Sequence, residues 1–105
     1  MNEQEYFAAA KRLARQLLVE SGWSNQQRLE FAYELITSHE PDSREMELLT
    51  QGLEQLRESY ADEPDAAAAL TAEIEGLTAT ERVELAAMTM VVNSLINLDI
   101  TKTRE

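Results

Sequence analysis

Apolar residues recur at every third or fourth position along most of the chain, the spacing that places them on one face of a helix. Near the N-terminus, Tyr6, Leu13 and Leu17 share such a face, while Lys11 and Arg12 fall on the other. Short polar, glycine or proline segments separate the helical stretches. The predicted helices are Glu3 to Glu20, Ser24 to the residue before Pro41, Asp42 to the turn at residues 61–65, Ala66 to Glu75, and Ala79 to Leu98.

The residues between these stretches predict where each helix begins and ends. An N-cap side chain followed three positions later by Glu or Gln is typical of a capping box. Such pairs are Asn2 with Glu5, Ser24 with Gln27, Asp42 with Glu45, and Thr78 with Glu81. Gly22 and Gly76 are predicted to end the first and fourth helices, because glycine adopts the left-handed conformation freely. Pro41 is predicted to end the second helix, and Asp65 to cap the fourth.

The second and third helices each carry an apolar stripe. The second stripe is Leu29, Ala32, Tyr33 and Ile36, which Phe31 and Leu35 are predicted to widen. The third stripe is Met46, Leu49, Leu53, Leu56 and Tyr60. Its spacing also fits a coiled-coil seam, but the seam is barely two heptads long, so packing inside a small bundle is the preferred interpretation. Gly52 is expected to allow another helix to approach closely.

The last predicted helix carries no charged residue between Glu84 and Asp99, although 28% of the chain is charged. A helix that is apolar on most sides is normally buried. The run of 14 residues from Leu85 to Leu98 is shorter than the roughly 18 that a membrane span needs. We therefore expect residues 1–105 to form a single all-α domain, a small bundle of four to five helices around a buried C-terminal helix.

Composition and charge restrict the class of function. Three glycines and two prolines among 105 residues favour helix. The net charge of -11 opposes binding to nucleic acid and to anionic membranes. An acidic surface can also mimic DNA, although a solvated helical surface is the simpler interpretation. Without cysteine, the chain has no disulfide, thiolate metal site or covalent c-type haem attachment. No signal peptide is visible in the sequence.

Few residues qualify as chemical groups. His39 with Glu40 and Asp42 is a weak metal pattern, and the end of a surface helix explains these residues better. The acidic cluster at residues 62–65 lacks the spacing of an EF-hand. The carboxylate pairs Glu30 with Glu34 and Glu54 with Glu58 lie off the apolar stripes and are expected to be solvated. We assign no catalytic, cofactor-binding or metal-ligating residue, expect no cofactor, and predict that the domain is not an enzyme.

The last helix contains the remaining candidates. Met88 and Met90 are expected to fill the core, although methionine can also be an axial haem ligand. Asn93, Ser94 and Asn97 lie on the same helix, where unpaired amides would be costly if buried. Either the two asparagines bond loop backbone, which is the preferred interpretation, or they form an interdomain contact.

A set of short motifs along the whole chain resembles a known family. They are Asn2, either Tyr6 or Phe7, residues 9–14, Arg28 with Ala32, Tyr33 and Leu35, Glu40 with Pro41, residues 60–62, Pro64 with the alanines that follow, residues 84–87, Val91, Leu95, residues 97–99 and residues 103–105. The pattern resembles the C-terminal domain, of unknown function, in a family of large planctomycete proteins associated with cytochrome-c-like domains. That family often has tryptophan where Met88 stands and glutamate where Ile100 stands. A functional role of that tryptophan or glutamate in the family therefore does not carry over to this chain.

The resemblance implies that this domain is the C-terminal part of a much longer, exported protein. Its partners would be upstream domains of the same parent chain, and any haem would belong to one of them. The resemblance carries no catalytic residues. The leading hypothesis is therefore a non-catalytic structural or interaction module. The alternatives are a free-standing acidic helical adaptor or inhibitor of a basic protein, and part of an enzyme site that other domains complete.

Overall fold

The structure is a computed structural model that describes residues 2–19 and 22–104, with the side chains of residues 102–104 left aside. The described residues form helices and connecting turns and contain no strand. The helices are α1 (Glu3–Val19), α2 (Asn25–Thr37), α3 (Ser43–Asp62), α4 (Pro64–Leu70) and α5 (Ala79–Arg104). The predicted all-α bundle is thereby confirmed. The predicted end of the first helix at Glu20 lies outside the described residues.

Helix α5 forms the centre of the bundle and contacts each of the other four helices. Its buried side chains are Leu85, Ala86, Ala87, Met88, Thr89, Val91, Val92 and Leu95. This burial confirms the expectation from the charge-free run, because such a helix gains its stability from apolar area removed from water. The helix begins at Ala79 as predicted, but it continues to Arg104 rather than ending at Leu98.

Helices α1 and α3 flank α5 and run antiparallel to it. Phe7 near the start of α1 lies beside Asn97 on α5, and Leu18 near the end of α1 lies beside Leu85. The interface between α1 and α5 contains Ala10 and other alanines that are fully buried. Small side chains at such an interface let two helices approach closely. The apolar stripe of α3 packs onto this core, which confirms core packing as its role.

Local capping interactions start α1, α2, α3 and α5 at the predicted positions. Both bonds of the capping box form at Ser24 with Gln27, at 3.1 and 2.8 Å. Both also form at Asp42 with Glu45, and Thr78 with Glu81 makes the same pair ahead of α5. The other starting residue, Asn2, accepts a bond from a backbone N–H at 2.9 Å. These starts need only residues three positions apart, which explains why the sequence predicts them well.

The ends of α2 and α4 differ from the predictions. Helix α2 ends at Thr37, before Pro41, because Ser38 takes the left-handed conformation with φ of 66°. Helix α4 is Pro64–Leu70 rather than Ala66 to Glu75, and Asp65 lies inside its first turn instead of capping it. Proline at the first helical position needs no N–H partner, so α4 starts there without a side-chain cap.

Two packing predictions are wrong. Phe31 and Leu35 do not widen the core stripe of α2, since they remain 42% and 58% exposed. Helix α2 packs through one side only, the side that carries Leu29, Ala32 and Tyr33. Gly52 does not allow a close helix approach either, because a Cβ atom placed there would have no heavy atom within 4 Å.

The buried Tyr33 joins α2 to the start of α3, and its titration predicts a loss of stability at high pH. Its hydroxyl donates a hydrogen bond to the Glu45 carboxylate, and this bond together with burial raises the pKa of Tyr33 from 10.0 to about 12. The folded state therefore holds the proton more tightly than the unfolded state. The stabilisation is complete below pH 10.0 and is lost as the pH rises through about 12.

We expect Tyr33→Phe to lower the free energy of unfolding by about 1 kcal/mol at neutral pH, the typical net value of a hydrogen bond. The deficit should shrink as the pH rises above 10.0. Urea unfolding at neutral and alkaline pH measures both effects. Tyr6→Phe is the matched control, because the Tyr6 hydroxyl makes no hydrogen bond with the described residues. A deficit that is the same at both pH values would contradict the assignment.

Candidate functional site

Asn93 and Asn97 lie on the surface of the bundle rather than in its core. Asn93 is half-buried and Asn97 is exposed, and both line a cleft with Glu3, Gln4 and Phe7 of α1. Neither amide side chain makes a hydrogen bond with any residue that the structure describes. The preferred prediction, bonding to loop backbone, is therefore wrong. Both amides lie at the edge of the contact between α1 and α5, in a cleft that is open to solvent.

The second half of α5 leaves part of its circumference uncovered between α1 and α3. Ser94 is exposed and lies between the asparagines and Leu98 around the helix, and Leu98 is 50% exposed. We call Asn93, Ser94, Asn97 and Leu98 the open face of α5. Its two sides differ in chemistry, since amides lie toward α1 and an apolar side chain lies toward α3.

An apolar groove extends the open face toward α3. The groove has a volume of about 220 Å³ and contains Leu48, which is 51% exposed. The other residues that line it are Leu49, Gly52, Leu56, Val91, Ser94, Leu95 and Leu98. Gly52 has no side chain, and this leaves open space in the groove. The sequence did not indicate this role of the glycine.

The metal and acid–base candidates of the sequence are not brought together. His39 is exposed, its Nδ1 lies 3.0 Å from the Thr37 hydroxyl, and its ring stacks on Tyr33. Asp42 is used by the α3 cap. Within residues 2–19 and 22–104, no group of three or more potential metal-ligating side chains occurs.

Arg82 and Lys11 have a structural role that the sequence did not reveal. The Arg82 guanidinium donates to the Thr71 carbonyl at 2.7 Å, the Thr71 hydroxyl at 2.9 Å and the Ile74 carbonyl at 2.9 Å. Lys11 Nζ donates to the Leu70 carbonyl at 2.7 Å. These cations bind carbonyls at the C-terminal end of α4, where the helix dipole favours positive charge. The bonds pair carbonyls at the end of α4 and in the turn that follows it.

A second cleft collects arginines but does not form an open anion site. Arg57 is engaged by the carboxylates of Glu84 and Glu54, at 2.8 and 2.6 Å. Arg28 donates to the Leu17 carbonyl and to the side chain of Asn25. The charge of Arg57 is therefore paired with partly exposed carboxylates of the same domain. On the open face of α5, Ser94 donates to the Met90 carbonyl at 2.9 Å, whereas the amides of Asn93 and Asn97 make no hydrogen bond with the described residues.

The family models, the curated proteins and the solved structures gave no match to the chain. Function must therefore be argued from the molecule itself. By length and composition alone, Ala79–Thr101 could cross a membrane, so the shortness of the charge-free run does not by itself oppose a span. The core helix of a soluble protein has the same features, and 44% of the most apolar window is buried within this bundle.

Proposed function

We propose that this domain is a non-catalytic interaction module, and that the open face of α5 is its docking surface. The observation that carries the proposal is the pair of amides, Asn93 and Asn97, that make no hydrogen bond with other described residues and lie beside the half-exposed Leu98. A mixed surface of amides and apolar groups is typical of contacts between domains of one chain. Amides can bond a partner's backbone, while Leu98 and Leu48 contribute apolar area.

The proposed partner is the upstream part of a longer parent chain. The resemblance to the C-terminal domain of exported, cytochrome-associated planctomycete proteins supports this choice. In that setting the domain needs no cofactor or reactive group of its own, and any haem belongs to another domain. Export of the parent is part of the same proposal, as is the absence of nucleic-acid binding and membrane insertion.

The test is a titration of the upstream region of the parent, expressed without residues 1–105, with this domain in a calorimeter. We expect saturable binding that Leu98→Ser weakens about tenfold, as loss of a central apolar contact does. Asn93→Ala should weaken it less. Val19→Ser is the matched control, because Val19 is 74% exposed and lies outside the open face. Absence of binding, with unchanged stability of the truncated parent, would overturn the proposal.

A second candidate is a free-standing acidic adaptor or inhibitor of a basic protein. The net charge of -11 favours it, since such a charge steers basic partners toward the surface. Its distinguishing property is that binding weakens strongly as salt increases, whereas docking through the open face depends mainly on apolar area.

A further inference from the structure

Helix α2 presents an apolar strip to solvent on the side opposite the core. Phe31 and Leu35 lie one helical turn apart on this side and remain 42% and 58% exposed. Trp23, which is half-buried and also packs against the core, contacts Phe31 with ring centroids 5.3 Å apart and continues the strip before the start of the helix. We call Trp23, Phe31 and Leu35 the α2 strip. Exposed aromatic residues that form a contiguous surface are a common mark of a protein contact.

Two carboxylates follow the strip along the same helix. Glu30 and Glu34 lie one turn apart on one side of Phe31 and Leu35, at the spacing of residues that share a helix face. Neither side chain forms a hydrogen bond or ion pair with another described residue. The strip is therefore bordered by negative charge that the fold itself does not neutralise.

We propose that the α2 strip binds a basic amphipathic helix of a partner protein. The apolar face of that helix would cover Phe31 and Leu35, while its Lys or Arg side chains would meet Glu30 and Glu34. This inference rests on the second candidate function and concerns a surface separate from the open face of α5. A second copy of the chain fits poorly, since it would place the same carboxylates against each other on molecules that each carry -11.

Trp23 provides the readout, because it is the single tryptophan of the chain and belongs to the strip. The probe is a synthetic peptide of leucine and lysine placed at helical spacing. We expect it to shift the Trp23 emission with a saturable curve whose affinity falls as salt increases. A peptide with glutamate in place of lysine, and a scrambled leucine–lysine peptide without helical spacing, should bind at least about tenfold more weakly.

Substitutions then locate the binding. Leu35→Ser and Phe31→Ser should each weaken the peptide about tenfold, and the double variant Glu30→Gln with Glu34→Gln should weaken it several-fold and flatten its salt dependence. Val19→Ser is the matched control, because Val19 is 74% exposed and belongs to neither the α2 strip nor the docking surface beside α5. Circular dichroism and thermal unfolding check that each variant is folded, which the exposure of these side chains leads us to expect.

Three results would overturn the inference, and they are distinguishable. If Leu35→Ser and Phe31→Ser bind like the unchanged protein while the glutamine variant binds weakly, the acidic adaptor function survives but the strip is not its site. If the scrambled peptide binds equally well, the attraction is charge alone. If sedimentation shows self-association that Leu35→Ser abolishes, the strip is an interface between copies of the chain.

Discussion

Arg82→Met is expected to lower the free energy of unfolding by about 3 kcal/mol, among the largest effects of any single substitution in this domain. The guanidinium makes three hydrogen bonds, to both oxygens of the buried Thr71 and to the carbonyl of the buried Ile74. Methionine has similar length but no donor, so the Ile74 carbonyl loses its hydrogen bond and both Thr71 oxygens lose a charged donor. The Thr71 carbonyl keeps the Ile74 N–H at 3.0 Å, and the Thr71 hydroxyl keeps its bond to the Ala67 carbonyl at 2.8 Å. Leaving a buried acceptor unpaired costs about 1–3 kcal/mol, and bonds to a charged donor are stronger than neutral ones.

Urea unfolding followed by circular dichroism measures the loss. Arg12→Met is the matched control, because Arg12 is exposed and makes no ion pair with a described residue, and we expect a change within about 0.5 kcal/mol. Amide hydrogen exchange should also quicken in residues 71–77 of the Arg82 variant. An equal, small effect of both substitutions would show that water replaces the guanidinium without loss.

Met88→Ala is expected to destabilise the domain by a similar amount, about 3 kcal/mol. Met88 is 1% exposed and belongs to the core cluster on α5, so truncation removes buried apolar area and leaves a cavity. Because the whole stability of a domain of this size is about 5–15 kcal/mol, the loss should be visible as a large drop in the urea midpoint.

Two further variants test whether the loss of stability comes from the buried volume of the Met88 side chain or from its chemistry. Met90→Ala makes the same change two residues away on a half-buried side chain, and it should cost about 1 kcal/mol or less. Met88→Leu nearly conserves volume and should cost less than about 1.5 kcal/mol. If Met88→Leu were as damaging as Met88→Ala, the role of this methionine would be more than filling the core.

The candidate site was only partly predictable from the sequence. The sequence indicates Asn93 and Asn97 because amides are unusual on so apolar a helix. Their position on the same face follows from their spacing of four residues. Their solvent exposure depends on where α1 and α3 lie around α5, and no local pattern carries that information. Phe31 and Leu35 are apolar side chains that the structure leaves exposed. Their apolar character predicted burial, but α2 packs through one side and leaves them outside.

The interactions that end α4 show the same limit. Lys11 bonds the Leu70 carbonyl and the Glu73 carboxylate, and Arg82 bonds Thr71 and Ile74. The bond from Lys11 to Leu70 joins residues 59 positions apart. A basic side chain on a helix usually belongs to a solvated face. The residues near Arg82 in the sequence do not indicate that it donates hydrogen bonds to loop carbonyls. Helix α4, which contains the four alanines, ends at Leu70, whereas its composition predicts a helix that continues to Glu75.

The sequence by itself determined the helical class, the positions where α1, α2, α3 and α5 begin, and the identity of the central helix. These properties depend on residues three or four positions apart, or on the absence of charge along one segment. The tertiary structure alone decided where α2 and α4 end, which apolar side chains stay exposed, and which asparagine amides lack partners. Those outcomes depend on which surfaces meet across the bundle, and helix packing sets them through contacts between residues far apart in the chain.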